Sequence, residues 1–401
     1  MTNVLGKYHS SPKTKGALRF MPVVPASTSL ASRLAALGPG RIDVHTHAFD
    51  PDLPDIGASY EGTFPAARRL SADRAQIILG GRMYRELDAR SWSAPARLRD
   101  MDAEGVAAQL VSATPVTLCH GEPAAGAAAL AAAQNDFLAR LTAAAPDRLF
   151  ALGCVPLQDP GAAVKELYRC VRDLQFAGVE IGTRVGELEL ADPNFVPFFR
   201  AAADLGAVVF VHPVDQTLDP RLARLGVGFG LGMPAETAIA AAGLLACDLL
   251  DELPGLRLCL AHGGGTLPSA LPRLAQGMRL AGKGDRVTAR ARQLWCDSLT
   301  YDVAGLLLAA ERFGAGHVVL GTDYPFDARE QPAGAVLTAL EEVTTAAGLR
   351  GTAAPGSPEV LTGAARENAL ALLAEAGPPH EEARPRHEEA RPRHEEARPE
   401  D

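Results

Sequence analysis

The stretch RIDVHTHAFD, from Arg41 to Asp50, runs apolar and β-prone up to a pair of histidines, His45 and His47, spaced two apart. Side chains alternate faces along a strand, so residues at i and i+2 point the same way and both imidazoles can reach one metal ion. Three later strand-like runs also end in residues that bind metals or move protons: VVFVH to His212, LCLAH to His262 and VVLGTD to Asp323. Four strand ends carrying such residues are the arrangement expected at the C-terminal mouth of a closed parallel barrel.

Outward from this stretch, the apolar runs recur at strand length. They are Val106 to Ala113, Arg148 to Pro156, Gly178 to Thr183, Ala207 to His212, Leu256 to His262, Leu294 to Leu299 and His317 to Asp323. Between them lie segments rich in Ala, Leu, Glu and Arg with apolar residues every three or four, such as Gly126 to Ala145, Ala162 to Leu174 and Ala235 to Leu253. Eight alternating βα units predict an α/β fold closed into a (β/α)8 TIM barrel. No Gly-x-Gly-x-x-Gly turn follows any strand, which argues against an open dinucleotide-binding sheet. Pro51 to Pro95 reads as a long polar first βα connection, expected to form a lid or substrate wall.

The catalytic domain is expected over residues 41–376 of the 401. Residues 1–40 contain no acidic side chain and scattered prolines, and are expected to be a disordered arm. From Gly377 the unit HEEARPR occurs twice in full and once cut short. Its regular prolines block a helix and it lacks apolar surface, so 377–401 is expected to be a solvated tail. The net charge of −9 and the aromatic content of 5% argue against a nucleic-acid partner. The sequence shows neither a long uninterrupted apolar run nor a secretory leader, giving the expectation of a cytoplasmic protein with no membrane partner. Cys119, Cys154, Cys170, Cys247, Cys259 and Cys296 lack Cys-x-x-Cys spacing and read as small buried hydrophobes.

A single strand-end histidine is more often a hydrogen-bonded core residue than a ligand, but four such coincidences reverse those odds. His45, His47, His212 and Asp323 are therefore the expected metal ligands, and the donor set suits zinc. His262, followed by Gly263, Gly264 and Gly265, would overfill a single-metal site as a fifth ligand. Beside the metal it serves as an acid/base. His9, His120 and His317 fit no pattern.

VHTH, FVHP, GMPAET, LAHGGG and VLGTDYPF together resemble the amidohydrolase superfamily, and within it the 2-amino-3-carboxymuconate-6-semialdehyde decarboxylase family. The likeness runs from about Arg41 to about Leu373. It implies one zinc per subunit on His45, His47, His212 and Asp323, with His262 as the acid/base and no organic cofactor. It also implies two arginines gripping substrate carboxylates. By motif position these are Arg85 in GRMYREL and Arg273, the second reaching the neighbouring subunit's site in a homodimer. Arg suits this task through its planar, bidentate geometry.

Two departures stand out. The fourth strand offers Glu180 where binuclear relatives carry a bridging lysine, which favours a single metal. Val214 stands where the decarboxylase has a tryptophan against the substrate, so the pocket is expected to be reshaped there. The expected function is zinc-dependent decarboxylation of a small unsaturated or aromatic amino- or hydroxy-carboxylate, such as 2-amino-3-carboxymuconate semialdehyde. The same site suits a metal-dependent hydrolase or hydratase, and a metal-binding protein without turnover is the third reading.

Overall fold

The computed structural model describes residues 29–346 and 358–374. Its centre is an eight-stranded parallel sheet, hydrogen-bonded in chain order: Arg41–Ala48, Val106–Ala113, Leu149–Cys154, Gly178–Ile181, Val208–Val211, Arg257–Leu260, Trp295–Asp297 and Val318–Val319. These are numbered here as the first to eighth strands. The chain beyond the eighth returns to the first, through Val44 N–H to Leu320 O (2.8 Å), Asp323 N–H to His45 O (2.8 Å) and His47 N–H to Tyr324 O (2.6 Å). The sheet therefore rolls into the expected TIM barrel.

The strands form because their residues are apolar and are covered on both sides. Ile42, Val44, Leu110, Phe150, Leu152, Val208, Phe210 and Val319 fill one buried cluster, and Val111, Val179, Val209 and Leu258 pack in another with the surrounding helices. Local signals set the helix ends. Ser93 caps Ala94–Glu104, which stops at the left-handed Gly105 (φ 69°), while Asp159 and Asp302 cap Pro160–Tyr168 and Val303–Phe313. The helix expected over Ala162 to Leu174 ends its regular part at Tyr168 and continues as a wider π turn, Arg169–Asp173. That expected over Ala235 to Leu253 is Met233–Ala246, broken by extended backbone at Cys247 before Leu249–Glu252. The stretch Gly228–Ala246 is long and apolar enough by composition to cross a membrane, with mean hydropathy 1.4. In this fold its Ala240, Ala241, Leu244 and Leu245 are buried in the core around the barrel.

Two regions differ from the sequence reading. The first βα connection is not a loop: it carries a three-stranded antiparallel sheet, Ala66–Arg69, Arg74–Leu79 and Arg82–Asp88. Gly80 and Gly81, with φ of 56° and 75°, make the tight turn between its last two strands. Its inner residues Ile77 and Leu87 join Phe49, Leu53, Phe64, Val116 and Leu130 in a separate buried cluster. Within 1–40, residues 29–40 belong to the fold. Ser29 caps the helix Leu30–Ala35, and Leu30 and Leu34 pack with Leu372 and Leu373 across the end of the barrel opposite the histidines. The HEEARPR repeats lie outside the described residues.

Arg97, on the helix Ala94–Glu104, is completely buried. Its guanidinium donates to His47 O (2.8 Å), Arg90 O (3.1 Å), Gln109 Oε1 (3.0 Å) and Thr46 Oγ1 (2.8 Å), and lies 4.8 Å from the Tyr324 ring centre. Removing it strands these acceptors inside the protein. Arg97→Ala is expected to lower stability by about 3–5 kcal/mol in urea unfolding, with Arg97→Lys restoring less than half. A loss below about 1 kcal/mol contradicts this role.

Candidate metal centre and active site

His45 and His47 end the first strand, His212 follows the fifth and Asp323 follows the eighth. One ligand atom from each lies within 4.8 Å of the others, and all four residues are buried. His45 Nε2 and His47 Nε2 are 3.1 Å apart, and Asp323 Oδ1 is 3.5 Å from the first and 3.1 Å from the second. The opposite ring nitrogens are engaged elsewhere. His45 Nδ1 meets Asp297 Oδ2 at 2.6 Å, His47 Nδ1 meets Ser112 Oγ at 3.0 Å and Ala113 O at 3.1 Å, and His212 Nδ1 meets Pro213 O at 2.6 Å. Each contact directs Nε2 toward the common centre, the usual way a metal-binding imidazole has its tautomer fixed.

The donor set fits a divalent ion. His212 Nε2 and Asp323 Oδ1 are buried without a hydrogen-bond partner among the described residues. Leaving a buried acceptor unsatisfied costs roughly 1–3 kcal/mol, which coordination offsets. Burial holds His47 down at about 4 and pushes His212 down as well, so both rings are neutral and ready to ligate. Burial tends to raise Asp323, but the close His47 ring and the neighbouring His45 and His262 outweigh it and hold the carboxyl at about 2. Burial likewise opposes charge on His45, yet Asp297 and Asp323 raise it to about 9. The cluster thus favours one positive charge at its centre, as a proton or as an ion. Glu180, buried at the end of the fourth strand, stands 3.9 Å from His47 Nδ1, and burial pushes its carboxyl up to about 8.

A cavity of about 690 Å³ opens over this cluster, lined by His212, His262 and Asp323 at its floor and by Tyr84, Arg85, Phe229, Met233 and Phe326 on its walls. That volume suits a small organic substrate. His262 Nδ1 has no hydrogen-bond partner among the described residues, and burial and the His45 charge both lower its pKa. Its ring centre lies 5.0 Å from that of His212 and 5.3 Å from that of His45. Phe326 stacks on His47 at 5.2 Å between centres, and the Arg85 guanidinium lies 4.3 Å from the Phe326 ring centre.

Three arginines line the cavity. Arg74 pairs with Glu86 and Arg90 with Asp88, whereas Arg85 has no carboxylate partner among the described residues. Arg85 thus stands as the cation available to a ligand. Arg273 is exposed on the helix Leu267–Leu280 and is not part of the cavity wall of its own chain. Val214 is buried beside Gly182 and His120, also off the wall, while its neighbour Asp215 reaches the cavity and accepts the Tyr84 hydroxyl at 2.5 Å.

The sequence reading passed over Asp297, Tyr84, Asp215 and Phe326. Asp297 had a visible signal, since LWCDSL places an acid at a strand end as HVVLGTD does.

Loss of a ligand should exceed the ~10–100-fold that loss of a supporting contact costs. His212→Ala is expected to weaken zinc binding by more than about 100-fold in competition with a chromophoric chelator. Binding displaces the proton held on His45, so affinity should rise with pH below about 9 and level off above it. Unchanged affinity in the variant, or affinity that falls with rising pH, contradicts this assignment.

With this geometry in hand, comparison with known proteins gives consistent matches. The family model described as Amidohydrolase matches residues 42–374. The chain is 30% identical over 309 residues to 2-amino-3-carboxymuconate-6-semialdehyde decarboxylase from Dictyostelium discoideum, covering 75% of this chain and 86% of that one. It is also 30% identical over 251 residues to gamma-resorcylate decarboxylase from Rhizobium sp., covering 58% and 76%. Among solved structures, the apo form of IDCase from Metarhizium anisopliae superposes with a TM-score of 0.66 at 24% identity, covering 86% of this chain and 99% of that one.

Proposed function

The chain belongs to the amidohydrolase family, and we propose that it is a zinc-dependent decarboxylase that works without an organic cofactor on an unsaturated or aromatic amino- or hydroxy-carboxylate. The observation that carries this reading is the convergence on one cavity of three things: the four-ligand cluster, the His262 imidazole, whose Nδ1 has no partner among the described residues, and the Arg85 guanidinium, which has no carboxylate partner among them. The two relatives named above are both decarboxylases of such carboxylates, one of an open-chain dienal acid and one of a dihydroxybenzoate.

His45, His47, His212 and Asp323 would hold a divalent ion, which would supply Lewis acidity toward a substrate oxygen. The remaining steps belong to side chains. Arg85 holds a substrate carboxylate at the cavity wall, with Phe326 packed against its guanidinium so that the fork has few alternative positions. The apolar parts of Phe326, Met233 and Phe229 displace water, which strengthens every charge contact inside. Loss of carbon dioxide leaves the bonding electron pair on carbon, and a proton must arrive there. His262 is the group placed to deliver it. With its pKa lowered by burial and the His45 charge, it takes a proton from solvent water at its ring nitrogen, gives it to the carbon that carried the carboxylate and returns to the neutral form. The products are carbon dioxide and the protonated carbon skeleton.

The proposal extends to a homodimer. Arg273 sits outside its own chain's cavity on an exposed helix face, which is where a residue serving a neighbouring subunit's site belongs.

The test is carbon dioxide release from freshly generated 2-amino-3-carboxymuconate semialdehyde and from 2,6-dihydroxybenzoate, with zinc-loaded and chelator-treated protein. Metal-dependent release from either is expected. Incorporation of water without carbon dioxide identifies a hydrolase or hydratase instead. His262→Ala is expected to keep its zinc and lose about 10²–10⁴-fold in kcat. Arg85→Gln is expected to raise KM by about 10–100-fold, the range for one charged hydrogen bond. Full activity of His262→Ala rules out the proton-transfer role.

A further inference from the structure

We infer that Asp297 is a positioning residue that ties the metal ligand His45 to the acid/base His262 through one buried carboxylate. The inference rests on the reading of His45 as a ligand and His262 as the proton carrier.

Asp297 ends the seventh strand and is fully buried. Its Oδ2 meets His45 Nδ1 at 2.6 Å and accepts the His262 backbone N–H at 2.9 Å. Its Oδ1 accepts N–H from Gly263 at 2.7 Å and from Leu299 at 3.1 Å. Oδ2 is therefore shared between a ligand ring and the turn that carries the acid/base, while Oδ1 holds that turn and the backbone at Leu299.

That turn needs support. His262 has φ of 58°, a left-handed conformation that costs a side-chain-bearing residue free energy, and Gly263, Gly264 and Gly265 continue it at 63°, 78° and 63°. Without acceptors for the two N–H groups, His262 would relax toward ordinary backbone angles and its ring would leave the cavity floor. Gly265 fixes the far end of the turn, because a Cβ there would stand 2.1 Å from Pro234 O.

A second feature shows that room has been kept for the tie. At Gly321, just before the eighth strand's ligand, a Cβ would lie 2.7 Å from the Cβ atoms of both His45 and Asp297. Any side chain at 321 would wedge the pair apart. The absence of one lets the carboxylate close on the ring.

The carboxylate accepts at Nδ1, so with an ion bound His45 keeps a proton there and turns a lone pair at Nε2 to the centre. An amide in its place would aim its NH2 group either at His45 Nδ1 and the His262 N–H together or at the Gly263 and Leu299 N–H groups, and all four positions face an acceptor in the wild type. Asp297→Asn therefore switches the His45 tautomer or loosens the turn.

The experiment measures zinc affinity by chelator competition, and kcat and KM at saturating zinc, for the wild type, Asp297→Asn and His212→Ala. Asp297→Asn is expected to bind zinc ~10–100-fold more weakly. With zinc restored it should show reduced kcat and a shifted pH profile but little change in KM. If His212→Ala loses zinc while Asp297→Asn matches the wild type within twofold in affinity and kcat, the tie is refuted and the metal site stands. If His212→Ala binds as tightly as the wild type, the metal lies elsewhere and the inference falls with the reading beneath it. Nitrogen-15 spectra of the wild-type imidazoles give a readout that needs no folded Asp297 variant. Metal-loaded His45, assigned by its loss in His45→Asn, should show a proton on Nδ1. A proton-free Nδ1 overturns the inference.

Discussion

Closure of the barrel is the constraint on which the site depends. The last strand has only two residues in regular pairing, yet the chain after it makes three backbone hydrogen bonds to the first strand, between Val44 and Tyr324. These bonds do more than remove two sheet edges. They set the backbone of Asp323 against that of His45, and so bring a carboxylate to two imidazoles that lie at the other end of the sequence. Asp43 reinforces the seam by accepting the Thr322 hydroxyl at 2.6 Å and the Thr322 N–H at 3.1 Å.

The interior below this seam is apolar, and the charges above it are held in a small volume. That arrangement explains why the site is polar without being loose. Each of the three imidazoles in the cluster has a partner behind it: Asp297 behind His45, Ser112 and Ala113 O behind His47, Pro213 O behind His212. In a low-dielectric surrounding such contacts orient a ring firmly, and a misplaced one is expensive. His262 and Asp323 both have left-handed backbone angles, of 58° and 66°, and both serve the cavity. Strain of this kind persists only where neighbouring contacts hold it, which the densely bonded ends of the seventh and eighth strands provide.

The barrel and the ligand cluster are legible in sequence for one reason. Strands buried on both faces are continuous apolar runs, and the residue that ends each run falls at the mouth. VVFVH and VVLGTD announce both facts at once. The sheet in the first connection is harder to see, because RAQIIL and RMYRELD mix apolar residues with charged and amide ones and are only partly buried. The Gly80–Gly81 turn between them is its clearest signal. Arg97 is missed because a charged residue in RLRDMDAE reads as helix surface, and only the fold shows it reaching under His47. The helix at Leu30 carries a cap at Ser29 and leucines four apart, a pattern masked by the acid-free, proline-bearing segment before it. Val214 and Arg273 are placed by motif position alone, and neither reaches the cavity wall of this chain.

The sheet that carries Arg85 has its own apolar packing, built from Ile77, Leu87, Phe49 and Phe64 rather than from the residues inside the barrel. The arginine-bearing wall of the cavity and the histidine cluster are therefore supported by different sets of side chains. Such a division lets a lineage explore new carboxylates through one short segment while the reactive centre is inherited intact.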